Sequence, residues 1–174
     1  YGHYGWHLKH VLDVVGKAPG IRDVSAISAL IVNKGTFFIC DTQVTPDPSM
    51  EEIVEMTMLG ADVVRRFGMN PKVALISHSN FGNADTPSAR KMRAAVVKLR
   101  DRVPDMQVEG EMHADSAVNP VLRQRVFPNA HLSGAANLLV YPNLEAANGA
   151  FNLLKAAGDG LAVGPLLVGA AKSV

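Results

Sequence analysis

Only one cysteine, Cys40, occurs in 174 residues, so no internal disulfide can form. With seven methionines beside it, that usage suits a reducing compartment, and the chain reads as cytoplasmic. Charge of one sign is also missing: 17 Lys and Arg face 16 Asp and Glu, which leaves no net field for nucleic acid or an anionic membrane. No apolar run approaches the roughly 20 residues of a membrane helix, and no charged leader precedes one. Repeats and low-complexity linkers are absent. So are the familiar signatures: Ser77 has no G-x-S-x-G elbow, there is no Walker A, and Gly158, Gly160 and Gly164 miss the dinucleotide spacing and follow a helix, not a strand. Cys40 ends an apolar strand with no base nearby, so it reads as a structural thiol.

What is present is ample core material: 48% of residues are apolar, enough for one domain at this length to fold without a staple. Leu8, Val11, Leu12 and Val15 recur at helical spacing from Trp6, with Gly16 and Pro19 as stop signals. Val24 to Val32 and Thr36 to Cys40 form a hairpin around Asn33-Lys34-Gly35. Ser49 and Glu52 make a capping box ahead of a long helix, Ile53 to Phe67. Val73 to Ser77 is a buried strand, and the loop His78 to Thr86 leads to a helix opened by Thr86-Pro87 and ended before Pro104. Further elements are a strand at Met106 to Glu109, a short helix from Asn119-Pro120 to Val126, a strand at Asn137 to Tyr141 and a helix to Ala157 capped by Asn143. Leu161 to Val163 then continues or bends around Gly164-Pro165 into Leu166 to Val168. This alternation predicts an α/β fold: a three-layer αβα arrangement with a mixed, mainly parallel sheet and ligands beyond the strand C-termini. The loops starting at Ser77, Gly110 and Pro142 are the candidates.

The loop Ser77-His78-Ser79-Asn80-Phe81-Gly82 lies between a buried strand and a helix N-terminus, where a phosphate or carboxylate would be held, unless its hydroxyls serve only their own backbone. Glu111, His113 and Asp115 alternate on an extended backbone; they read as a cleft-lining hydrogen-bond network in preference to a metal site. The helix Ser88 to Val103 carries six Lys and Arg against Asp101 alone. Most of that charge reads as a solvated face, but Arg90 and Lys91 lie in the first turn, where a cation calls for a compensating anion. His3, His7 and His10 read as solvated or interface residues.

Four segments carry a resemblance: Lys72-VALISHSNFGNADTPSARKMR-Ala94, Val108-EGEMHADSAVNP-Val121, Ser133-GAANLLVYPNLEAANGAFNLLK-Ala156 and Val163-GPLLVGAAK-Ser173. In order and spacing they resemble the second half of the phosphate acetyl/butyryl transferase family. SHSNFG, PSARKMR and the opening HLKHVLDVVGKAPG are most similar to the version fused behind bacterial NADP-dependent malic enzymes. Stand-alone phosphotransacetylases more typically carry a Ser/Thr-Lys-Gly-Ser-like loop where Ser79-Asn80-Phe81-Gly82 stands.

The resemblance implies the second half of a phosphotransacetylase-like fold, with residues 1–174 forming a C-terminal subdomain cut at both ends from a longer chain. It implies a cleft for acetyl-CoA or acetyl phosphate and a homodimer or higher homo-oligomer. The family's catalytic Ser-Arg pair and later Asp follow its Gly-x-Ala-Lys-Pro motif, whereas here the chain ends at Val174, so the fragment alone is expected to catalyse nothing. An acetyl-CoA-sensing regulatory and oligomerisation role is therefore expected, with an active phosphate acetyltransferase as the alternative. Assembly would use the broad apolar surface of the Ile53 to Phe67 helix. The ligand-binding residues implied are Ser77, Ser79, Asn80, Arg90, Lys91, Glu111, Asp115, Asn143 and Lys172. No metal or cofactor is expected in this fragment; NADP and a divalent metal would belong to the parent's N-terminal region, and nucleic acid and membrane are not expected as partners.

Overall fold

The computed structural model describes residues 4–172, so the expectation for His3 lies outside the described residues. Helix α1 (Tyr4–Val15) precedes an antiparallel hairpin of β1 (Ser25–Val32) and β2 (Gly35–Cys40). Then come α2 (Met50–Arg66), β3 (Lys72–Ile76), α3 (Pro87–Arg102), β4 (Gln107–Met112), α4 (Ala114–Val118), α5 (Pro120–Val126), β5 (Leu138–Val140), α6 (Leu144–Ala157) and β6 (Leu161–Val168). Six strands form one sheet in the order β4-β3-β5-β2-β1-β6. Strand pairing is parallel from β4 through β3 and β5 to β2, and antiparallel from β2 through β1 to β6. The mixed, mainly parallel sheet expected from the alternation of elements is present.

The central strands β2, β3 and β5 are buried on both faces because their side chains alternate between two cores. Phe38 and Cys40 of β2, Val73 and Leu75 of β3, and Leu138 and Val140 of β5 pack with α2 and α3. Their neighbours Ile39, Ala74, Ile76 and Leu139 face the opposite way, with Ala117 of α4 and Ala147 of α6. Gly60 brings α2 close to the sheet: a methyl group there would meet Cys40 Sγ and Leu138 at 3.2 Å. No described helix is long and apolar enough to cross a membrane.

Three expectations are corrected. Strand β4 runs on to Met112 instead of stopping before Gly110, because Gly110 adopts φ +145° beside a register shift against β3 and so carries the strand onward. Its hydrogen faces Leu75, where a Cβ would sit 2.7 Å from the Leu75 carbonyl oxygen. Helix α4 lies between β4 and α5 where a loop was read. The broad apolar surface of α2 belongs to the core: Val54 and Val63 are buried, and Met58 packs against the same cluster. Exposed apolar side chains lie elsewhere. Leu153 on α6 and Leu161 on β6 are 69% and 66% exposed, and Leu161 pairs with the 42% exposed Ile31.

Candidate functional site

Parallel strands β2, β5 and β3 lie side by side and end at Cys40, Val140 and Ile76. The segments that follow them meet the first turns of α3 and α6 around an open cleft of about 870 Å³. Asp47, His78, Ser88, Lys91, Asn143 and Glu145 are among its lining residues. The expected loops after β3 and β5 therefore contribute. The loop after β4 does not, and the segment after β2 takes its place.

That segment is shaped by Asp41, which is 2% exposed. Its Oδ1 accepts N–H bonds from Ala26, Gln43 and Val44 at 3.2, 2.9 and 3.1 Å, and Oδ2 accepts one from Thr45 at 2.9 Å. A carboxylate so bonded winds the chain into a tight loop and presents Pro46-Asp47-Pro48 to the cleft. The Pro46 carbonyl accepts the Leu144 N–H at the start of α6, at 3.0 Å. Sequence reasoning missed Asp41. An Asp directly after a buried strand and before a turn was the available signal.

The loop after β3 is anchored by Glu111, which is 1% exposed. Glu111 Oε1 accepts the Ser79 hydroxyl at 2.6 Å and the Gly82 N–H at 2.9 Å, and its carbonyl accepts the Phe81 N–H at 2.8 Å. Ser77 Oγ accepts the Ser79 N–H, Asn80 Oδ1 accepts the His113 N–H, and Asn80 Nδ2 donates to Ser116 Oγ. Ser77, Ser79 and Glu111 are thus bonded to one another in the protein interior, Asn80 is bonded to His113 and Ser116, and none of the four lines the cleft as expected. Their internal bonds hold in place the neighbour that does, His78, whose Nε2 lies 3.2 Å from the Thr86 hydroxyl.

The excess charge of α3 is largely neutralised within the fold. Arg93 Nε lies 3.5 Å from Glu111 Oε2, and Arg100 Nη2 donates to Glu109 Oε1 at 2.6 Å. Two buried carboxylates, two residues apart on β4, face two arginines seven apart on one stripe of α3. These arginines are not a solvated face. The anion compensating Arg90 is the chain's own Asp85, at 2.9 Å. Lys91 Nζ, on a side chain 18% exposed, donates to Asp47 Oδ1 and to the Pro48 carbonyl, both at 2.7 Å.

Asn143 lines the cleft as the N-cap of α6, its Oδ1 accepting the Ala146 N–H at 2.9 Å. Thr86 caps α3 in the same way, through the Ala89 N–H at 3.3 Å. Ser88 and Glu145 hold the second positions of these helices, where an N–H has no partner within the helix and favours an anion. Lys172 lies apart, in a depression it shares with Asp62 and Arg66 of α2.

The Glu111, His113 and Asp115 trio does not converge, because β4 ends at Met112 and α4 begins at Ala114, which breaks the alternation. Asp115 is exposed, and its Oδ1 accepts the Ser116 N–H. Among the described residues no group of three or more His, Cys, Asp or Glu is arranged to hold a metal. Burial, reinforced by Asp41, raises the Cys40 thiol well above its ordinary range, and the thiolate that nucleophilic chemistry needs is disfavoured. The Tyr141 phenol is pushed up to about 12, also by burial. Arg123, a buried residue that sequence reasoning passed over, is lowered by burial, with Glu109 acting in the opposite sense.

Comparison with known proteins places this geometry. Over 170 residues the chain is 51% identical to an NAD-dependent malic enzyme of Rhizobium meliloti, matching 98% of this chain and 22% of that protein. It is 45% identical over 174 residues to an NADP-dependent malic enzyme of Escherichia coli, matching 99% of this chain and 23% of that protein. The chain thus spans less than a quarter of the length of these relatives, and the coenzyme named differs between them. Among solved structures, a phosphotransacetylase from Staphylococcus aureus superposes with a TM-score of 0.90 at 29% identity, over 96% of this chain and 52% of that one. The phosphate acetyl/butaryl transferase model matches residues 1–174, and with the strand order, the two-faced core and the cleft on the page, the chain belongs to that family.

Proposed function

We propose that this chain is the phosphotransacetylase-like portion of a malic enzyme and that its cleft binds acetyl-CoA or acetyl phosphate as an effector. The observation that carries the reading is the cleft itself: about 870 Å³, lined by Lys91, His78 and the first turns of two helices. A phosphate-bearing ligand would meet a cation and first-turn N–H groups there. The malic enzymes compared are 51% and 45% identical, against 29% for the phosphotransacetylase, which favours a malic-enzyme parent over a stand-alone transferase. In that parent the malate-oxidising chemistry, its nicotinamide coenzyme (NADP or NAD) and a divalent metal would belong to the other part of the polypeptide. The effector would act by binding two states of the whole enzyme with different affinity. Assembly into a homodimer or higher homo-oligomer is the second half of the reading, and exposed Leu153, Leu161 and Ile31 supply its surface.

Phosphotransacetylase turnover is the reading to exclude, since the fold superposes closely on a phosphotransacetylase. The test is calorimetric titration with acetyl-CoA and acetyl phosphate, beside an assay for acetyl-CoA formation from acetyl phosphate and CoA, on the domain at its full natural boundaries and shown to be folded. Binding without turnover is the expected result. Turnover would replace the effector role with an acyltransferase. Light scattering of wild type against Leu153→Glu tests assembly, with a fall in mass expected for the variant.

A further inference from the structure

The only ammonium group lining the cleft, among the described residues, is already occupied. Lys91 Nζ is 2.7 Å from Asp47 Oδ1, and the two partners are unequally buried: the lysine side chain is 18% exposed, the aspartate 82%. Asp47 stands between two prolines, and the loop behind it is clamped by four backbone bonds to Asp41. On its other side the Pro46 carbonyl takes the first N–H of α6. One tight tip thus places an acceptor at the start of α6 and a carboxylate on the cation of α3.

A carboxylate held this way resembles the head of an anionic ligand. It costs little conformational entropy to keep in place, because the prolines and Asp41 have already ordered it. It is also easily displaced, because an ion pair with one partner so exposed is weak in water. A phosphate dianion entering the cleft must either take Lys91 from Asp47 or sit beside an uncancelled negative charge.

Building on the effector reading above, we propose that Asp47 is an autoinhibitory contact, an internal anion that competes with phosphate-bearing ligands for Lys91 and sets the affinity of the cleft. Displacing it leaves the Lys91 bond to the Pro48 carbonyl, at 2.7 Å, as that cation's remaining tie to the tip, so occupancy of the cleft is converted into a loosening of the 46–48 turn. His78 and Glu145 also line the cleft, and Lys91 and Asp47 are the pair whose exchange the ligand drives.

The test is titration of the 174-residue chain with inorganic phosphate and with acetyl phosphate at low ionic strength, in wild type, Asp47→Asn, Lys91→Met and the double variant, each checked for folding by circular dichroism. Asp47→Asn keeps the shape of the tip and removes the charge, so it should bind about 3- to 10-fold more tightly than wild type, with the gain fading as salt is raised. In the Lys91→Met background the same substitution should change affinity by less than about twofold, because there is no cation left to contest. Binding in wild type with no gain in Asp47→Asn overturns the competitor and leaves the effector reading standing. A gain that persists undiminished without Lys91 reduces Asp47 to through-space repulsion and also overturns the contact. No anion binding in either wild type or Asp47→Asn overturns both.

Discussion

Removing the Glu111 carboxylate should loosen the whole loop after β3, and the structure allows its size to be worked out. Glu111→Ala strips the acceptor from the Ser79 hydroxyl and the Gly82 N–H and the partner from Arg93. Each stranded buried donor costs about 1–3 kcal/mol. Ser79 can re-aim to Asn83 Oδ1 at 3.2 Å, Gly82 is exposed enough to reach water, and Arg93, whose Nε contact to Glu111 is a long 3.5 Å, keeps its Nη2 bond to the Ala84 carbonyl, so each falls at the low end. The sum is about 2–4 kcal/mol, a large part of the about 5–15 kcal/mol that holds a domain together. Glu111→Gln keeps the shape and one oxygen, so it should lose only about 1 kcal/mol. A loss of 3 kcal/mol at this chain length lowers Tm by about 6–12 °C. Urea unfolding and calorimetry measure the difference, and limited proteolysis should place new cleavage within residues 77–86 for the Ala variant. The reasoning fails if Glu111→Ala costs under about 1 kcal/mol, or if Gln is as damaging as Ala.

Three further outcomes follow from the same geometry. Cys40, the only thiol, should react with a disulfide reagent at the rate of global opening; urea below the unfolding midpoint should accelerate labelling in step with the unfolded fraction, and rapid labelling in water would contradict its burial. Gly110→Ala should lose about 3 kcal/mol or more, because its Cβ would meet the Leu75 carbonyl oxygen at 2.7 Å and its φ is +145°; an unchanged urea midpoint would refute the bulge. The Tyr141 phenol is neutral in the fold up to about 12 against an ordinary 10.0, so the stability tied to its neutral form is complete below pH 10 and lost as pH rises from 10 towards 12. Tyr141→Phe should flatten that part of the stability profile, measured by urea unfolding at stepped pH.

The elements were legible where their signals are local. The Ser49 and Glu52 capping box forms as read, with the Ser49 N–H donating to Glu52 Oε2 at 2.6 Å, and Thr86 and Asn143 cap the helices assigned to them. Helix α4 escaped because five residues carry no period. Strand β4 was cut short because a glycine inside a strand reads as a breaker, when here it permits a close approach of backbones. The candidate site was less legible. Lys91 was legible from helix-start chemistry, and Asn143 from its place beyond a strand C-terminus together with the family resemblance. The inward turn of Ser79 and Glu111, and the seating of Arg93 and Arg100 on two buried glutamates, depend on how α3 lies across β4, which no local pattern encodes. Asp41 and Asp47 went unread for a related reason: an acidic residue in a loop is the commonest of sights until four amides or a lysine are brought to it.

Arg123 has one more consequence. Its guanidinium, buried between α4 and the segment leading into β5, donates from Nη1 to the carbonyls of Ser116 and Ala117 at 3.0 and 3.1 Å, and from Nη2 to that of Leu132 at 2.9 Å and to that of Gly134. Residues 127–137 form no helix or strand, so their carbonyls lack the ladder that would satisfy them one by one. A single side chain supplies two of those carbonyls from one point and ties them to α4, beside the bonds that hold the His131 N–H on Glu109 and Ser133 on Gln107. Lysine would keep the charge and lose the fork, so what the position demands is a shape.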